Sequence, residues 1–199
     1  MNQIVTEWIA NNFTELFGSI LGLIYIWLSI RQNILTWPVG LLSSLFYIAI
    51  FFESKLYAGM SLQFYYAAMS VYGWYYWKSG KNSETGEKIG VRFTLIKEWL
   101  LIFVAFLIIF TVIVLALQKF TDSDVPYIDA FTTTAGIIAT LMMARKLIEN
   151  WIIWIIADSI SIFMYIEKQL WLTALLYLIF TVMAIFGFIE WQKTIKSKL

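Results

Sequence analysis

The feature that most constrains this chain is the segregation of its charge. Charged side chains gather in short knots, Lys78–Lys97, Asp122–Asp129, Arg145–Glu149 and Lys193–Lys198, and long apolar runs separate them. A soluble surface would scatter them. A bilayer core asks for about 20 predominantly apolar residues per helix, because unpaired backbone N–H and C=O groups cannot be left in lipid. Several runs reach that length. Composition agrees: 61% of the residues are hydrophobic and 14% charged, against about 25% charged in soluble domains. The expected fold class is all-α integral membrane.

Seven transmembrane helices are expected, over 14–30, 38–52, 56–77, 96–117, 128–144, 150–166 and 171–191. Two of these spans are short, which tilted or thin settings accommodate. Pro38 falls in the first turn of the second span, where its missing N–H costs nothing. Ser79–Val91 is rich in Gly and charge and reads as one long exposed loop. Met1–Phe13 has neither a basic n-region nor a small-residue cleavage site, so the first helix is expected to be retained.

Orientation follows from Lys and Arg. In a seven-span chain one side holds Arg31, Lys78, Lys81, Lys88, Arg92, Lys97, Arg145, Lys146, Lys193, Lys196 and Lys198, and the other only Lys55, Lys119 and Lys168. Basic residues favour the cytoplasmic side, so the N-terminus is expected outside and the C-terminus inside. The absence of Cys removes disulfides and thiolate chemistry, and the absence of His removes the commonest metal ligand and general base. No metal or cofactor is expected. A net charge of +1 without a basic stripe argues against nucleic acid as a partner.

An internal repeat organises the rest. Shifted by 114 positions, Gly22 falls on Gly136, Arg31 on Arg145, Trp37 on Trp151 and Glu53 on Glu167; Leu56 then falls on Leu170, Gly73 on Gly187 and Trp77 on Trp191. Apolar matches between membrane helices mean little, but Arg, Trp, Glu and Gly at one constant offset mean a duplication. The expected organisation is a three-helix bundle over 14–77, a cytoplasmic loop over 78–95, a connector helix over 96–117 and a second bundle over 128–191. An intervening connector gives both copies the same orientation, a 3+1+3 parallel repeat of the kind that encloses a substrate at the midplane of a transporter.

Polar groups within the spans mark a candidate substrate site. Trp151, Trp154 and Asp158 lie at i, i+3 and i+7 and share a helix face. Asp158 stands about 10 Å beyond Trp151 along the helix. A carboxylate at that depth costs about 2.5–3.5 kcal/mol on insertion scales. An organic cation would give it a partner, with the indoles adding cation–π attraction; an aromatic belt at the interface and a bond to a neighbouring helix are the plainer readings. Gln63, Tyr66, Ser70 and Trp74 form a second stripe, able to read hydroxyls or ring nitrogens or simply to bond between helices. Under the repeat, Ser44 is the counterpart of Asp158 and Trp37 of Trp151, so the halves are chemically unequal. The Thr- and Gly-rich start of the fifth span, Asp129–Gly136, reads mainly as packing.

These residues carry a resemblance. From about Gly22 to Trp191 the chain resembles the PnuC family of bacterial vitamin transporters, through Gln63 leading to Tyr72-Gly73-Trp74 and Trp77, and through Arg145-Lys146 followed by Glu149-Asn150-Trp151 and Trp154. The resemblance implies a SWEET-like fold, assembly as a homotrimer, and facilitated uptake of a vitamin that a cytosolic kinase then traps. It associates a Trp-x-x-Trp-x-x-x-Asn/Asp pattern with ligand binding, here Trp151, Trp154 and Asp158, with Asn150 beside them. The absence of a nucleotide phosphate loop agrees with uptake that is not directly powered.

Two departures bear on the substrate. Nicotinamide riboside carriers of the family tend to have Asn in place of Asp158, and often in place of Ser70. A carboxylate with fewer sugar-reading amides suits thiamine, while the riboside is the family's commonest named substrate. A membrane-embedded enzyme would have to work through Asp158 or Glu149, with no second carboxylate on the same face and no nucleophile–base pair. A receptor would bind a small cation without moving it.

Overall fold

The computed structural model describes residues 13–53, 57–80, 89–121 and 124–197. Among them seven helices follow in order: α1 (Phe13–Ile30), α2 (Thr36–Glu53), α3 (Tyr57–Ser79), α4 (Ile96–Phe120), α5 (Pro126–Ala144), α6 (Asn150–Glu167) and α7 (Trp171–Lys196). Each coincides with an expected span. Five of them, α2 and α4–α7, are long and apolar enough to cross a membrane. The polar stripe of α3 and the short apolar part of α1, Phe17–Ile30, keep those two below the same threshold. The chain is an all-helical membrane protein.

Helix α4 shows the solvent it folds in. Over 25 residues its one buried side chain is Val114, while Leu100, Leu101, Phe103, Ile108, Val112 and Leu115 are all exposed. Water would not tolerate so much apolar surface on one helix; hydrocarbon does.

The 114-residue repeat reappears in backbone detail. Helices α2 and α6 start at Thr36 and Asn150 and end at Glu53 and Glu167, the same offset at both ends. Before each lies the same turn. Gln32 (φ 52°) and Lys146 (φ 56°) occupy the left-handed region. Asn33 N donates to Leu28 O (2.9 Å) and Gln32 N to Ser29 O (3.0 Å), matched by Leu147 N to Met142 O (2.9 Å) and Lys146 N to Met143 O (2.9 Å). These paired bonds are a Schellman closure, which satisfies the last carbonyls of α1 and α5 and reverses the chain in four residues. A third such closure, at Gln169 (φ 59°), joins α6 to α7.

The chain divides into two compact units, Met1–Trp74 and Tyr75–Leu199. In the first, α1 packs on α2, with Phe17 edge-on to Phe46 at 4.9 Å. Ser29 Oγ and Thr36 Oγ1 hydrogen-bond to each other at 2.6 Å, and both lie within reach of Tyr25 O, at 2.8 and 3.0 Å. In the second, α4 packs on α5, α5 on α6 and α6 on α7, around Ile138, Met142 and Leu147.

One expectation needs correcting. The loop over 79–91 is not exposed throughout: Ser79 closes α3, 81–88 lie outside the described residues, and Val91 is buried. Its exit is tied down because Arg92 pairs in a short parallel bridge with Leu147.

Candidate functional site

Helix α6 presents one buried face, Asn150, Trp151, Ala157, Asp158, Ser161 and Met164, with Ile152 and Ile156 exposed on the other side. The expected grouping of Trp151, Trp154 and Asp158 on one face is what forms. Asp158 is 5% exposed. Among the described residues nothing donates a hydrogen bond to its carboxylate and no cation pairs with it. Ser161, one turn on, donates to Ala157 O (2.9 Å) instead.

The same unit holds further polar atoms that are buried without a partner. Trp151 Nε1, Trp154 Nε1, Asn150 Oδ1 and Thr134 Oγ1 are buried and lack a partner among the described residues. Asn150 uses its Nδ2 to donate to Leu147 O (2.6 Å), which leaves the amide oxygen available as an acceptor. Buried polar atoms left unpaired cost about 1–3 kcal/mol each, so each of these atoms is a candidate for a polar partner.

The two tryptophans differ in their surroundings. Trp151 lies against Gly187, where a Cβ would stand 2.6 Å from the indole, and meets Trp191 edge-on at 5.5 Å and 89°. Trp37 lies against Gly73 in the same way, at 2.5 Å from a Cβ placed there. The same Trp–Gly approach is thus present in both copies. Trp154 and Asp158 instead correspond to Gly40 and Ser44, so their chemistry is confined to the second copy.

The remaining expected residues lie in the first unit. Trp37 and Ser44 are buried. Ser70 is buried and donates to Tyr66 O (2.8 Å), so its proton is committed to its own helix and only acceptor capacity is left. Gln63 and Tyr66 are half-buried. Trp74 is 43% exposed, because the buried stripe of α3 runs through Met69, Ser70, Gly73 and Trp77.

Sequence reasoning did not anticipate the surroundings of three residues. Tyr25 covers Gly40, where a Cβ would stand 2.9 Å from its ring; under the repeat, Tyr25 and Gly40 become Ala139 and Trp154, a large–small exchange legible in the mismatches of the repeat. Thr134 was expected to pack, yet its hydroxyl is buried and unpaired, whereas Thr132 and Thr140 bond back to Ile128 O and Gly136 O. Glu149 is fully engaged by Thr94, a non-local contact that no spacing announces.

A sequence profile described as nicotinamide mononucleotide transporter matches residues 12–193, nearly the whole chain. The chain belongs to the PnuC family. The nicotinamide riboside transporter PnuC of Escherichia coli (strain K12) is 26% identical over 211 residues, covering 94% of this chain and 88% of the relative. The riboflavin/roseoflavin transporter RibM of Streptomyces davaonensis is 27% identical over 180 residues, covering 90% and 84%. A crystal structure of the vitamin B3 transporter PnuC superposes with a TM-score of 0.73 at 22% identity, covering 98% of this chain and 87% of that one, which gives the same fold. As a PnuC-family protein the chain is a multi-pass membrane transporter of vitamins and not an enzyme. Its relatives in the family are bacterial.

Proposed function

We propose that the chain is an uptake facilitator for a small vitamin carrying a permanent cationic ring, nicotinamide riboside or thiamine. The observation that carries this reading is the buried Asp158 carboxylate, which no described residue pairs. A bare carboxylate in a low-dielectric site is costly, and a pyridinium or thiazolium ring would relieve that cost at contact distance. Trp154, on the same face, would add about 0.5–2 kcal/mol of cation–π attraction. Asn150 Oδ1 offers an acceptor for a ligand amide, hydroxyl or amine. Gln63, Tyr66, Ser70, Ser44, Trp74 and Trp37 are the substrate-binding candidates of the first unit taken by itself.

Nicotinamide riboside is the first candidate, since relatives in Escherichia coli and Haemophilus influenzae are named for it. Thiamine is the second, because Asp158 and Ser70 replace amides that would hold ribose hydroxyls. Riboflavin, for which RibM is named, has an uncharged ring that gains nothing from a carboxylate.

Transport proceeds by alternating access around this site, without direct coupling to nucleotide hydrolysis, and a cytosolic kinase retains the product. The working form is a homotrimer in the bacterial inner membrane, with the N-terminus outside and the C-terminus in the cytoplasm.

The test is calorimetric binding of nicotinamide riboside, thiamine and riboflavin to the purified protein, followed by uptake into vesicles. Binding and flux of a cation are expected. Riboflavin binding with neither cation bound would overturn the reading, and binding without flux would make the protein a receptor.

A further inference from the structure

The turn that opens α6 carries a carboxylate that the substrate site does not use. Glu149 accepts three hydrogen bonds from a single residue. Thr94 N donates to Oε1 (3.0 Å) and Oε2 (3.1 Å), and Thr94 Oγ1 donates to Oε2 (2.6 Å). Two backbone bonds lie beside them, Arg92 N to Lys146 O (3.1 Å) and Ile148 N to Arg92 O (3.0 Å).

The same segment is locked to the start of α4. The Arg92 guanidinium forks onto Glu98 through Nη1–Oε2 (2.7 Å) and Nη2–Oε1 (2.6 Å). Glu98 Oε2 also accepts from Leu95 N (2.9 Å), capping the helix. Residues 92–98 therefore run as one tied strap from the α5–α6 turn into the connector helix.

Among the described residues the strap exists once. At the position equivalent to Glu149 the first copy has Leu35, 55% exposed, and that turn still makes the same Schellman closure at Gln32. Glu149 is thus not required to build the turn. What it adds is a link from the connector to the second copy.

We infer that Glu149 is a positioning residue that fastens α4 to the α5–α6 turn, so that during transport the connector moves with this turn as one body. The inference rests on the transport reading above and goes beyond it, since it says which elements travel together. The clasp uses charge-assisted hydrogen bonds, which are shorter and about twice as strong as neutral ones. Its location also matters: Asn150 and Trp151 follow Glu149 directly, so movement of the turn is passed to the first residues of the substrate face.

The absence of cysteine in this chain makes the test clean. Thr94→Cys combined with Glu149→Cys gives the only thiol pair, to be bridged by a short bis-thiosulfonate linker in proteoliposomes. Uptake of nicotinamide riboside and of thiamine is then measured, with Thr94→Ala and Glu149→Gln alongside. The single variants are expected to lower the maximal uptake rate at least fivefold with KM within twofold, and the bridged pair to recover at least half the rate of the unaltered protein.

A bridged pair that is inactive and regains flux on reduction would show that α4 parts from the turn, and the proposal would be wrong. Unchanged rates in the single variants, or a change in KM alone, would also overturn it. Hydrogen exchange supplies a measurement independent of substrate: in Glu149→Gln the amides of Arg92 and Ile148 should lose protection together, and retained protection would contradict the clasp. Failure of the unaltered protein to take up either cation would count against the proposed substrates, while the exchange result still decides the clasp.

Discussion

The indole of Trp151 lies so close to the backbone of Gly187 that a Cβ there would stand 2.6 Å from the ring. Gly73 and Trp37 repeat the arrangement in the other copy, at 2.5 Å. Helix-on-helix approach of this kind is set by small residues, since hydrophobic burial alone does not drive association in lipid.

Gly187→Ala and Gly73→Ala should therefore each lower stability by about 1–3 kcal/mol, the usual cost of overpacking. Thermal unfolding in detergent measures it. Unchanged midpoints would mean that the indoles can move aside, which would contradict the packing role of these glycines.

Trp151→Ala and Trp154→Ala should separate cleanly. The first removes a fully buried side chain and its edge-on contact with Trp191, costing about 3–5 kcal/mol of stability. The second is expected to weaken cation binding by roughly 3- to 30-fold, the range of one cation–π contact, with a smaller change in melting. The reverse pattern would place the ligand on Trp151.

Gln169 is exposed and adopts φ 59°. A non-glycine residue pays about 1–2 kcal/mol in that region, so Gln169→Gly should stabilise the α6–α7 turn by up to about 1 kcal/mol. Lys146→Gly should gain less or lose stability, because the Lys146 ammonium sits 4.7 Å above the Trp77 ring. Equal shifts in melting for the two variants would refute the contrast.

Much of this fold was legible because the bilayer enforces it. Residues 99–117 carry no charge, and nothing but a membrane helix accommodates such a run. The duplication was equally plain in Arg31 and Arg145 and in Trp37 and Trp151, though the turns at Gln32 and Lys146 emerge only from the backbone. The packing of matched residues was not plain. The seating of Trp37 and Trp151 against Gly73 and Gly187 joins residues that lie far apart in sequence. Gln63, Tyr66, Ser70 and Trp74 do share a face, but the buried stripe is centred nearer Tyr66 and Gly73. Trp74 falls roughly 80° round from that centre at 3.6 residues per turn. The docking of Val91–Thr94 on the α5–α6 turn had no signature at all, because a single parallel bridge leaves no periodicity to read.

The most direct test of the central claim is a calorimetric titration of the bound cation into the unaltered protein and into Asp158→Asn, with the melting of each empty protein recorded. Asn keeps the shape and hydrogen-bonding capacity of the side chain but removes its charge. The account predicts at least tenfold weaker binding of thiamine, about 1.4 kcal/mol, with a smaller loss for nicotinamide riboside, whose hydroxyls an amide can hold, together with an empty protein that is as stable or more stable, since a buried unpaired carboxylate has been neutralised. Equal affinity for the cation in the two proteins would contradict it.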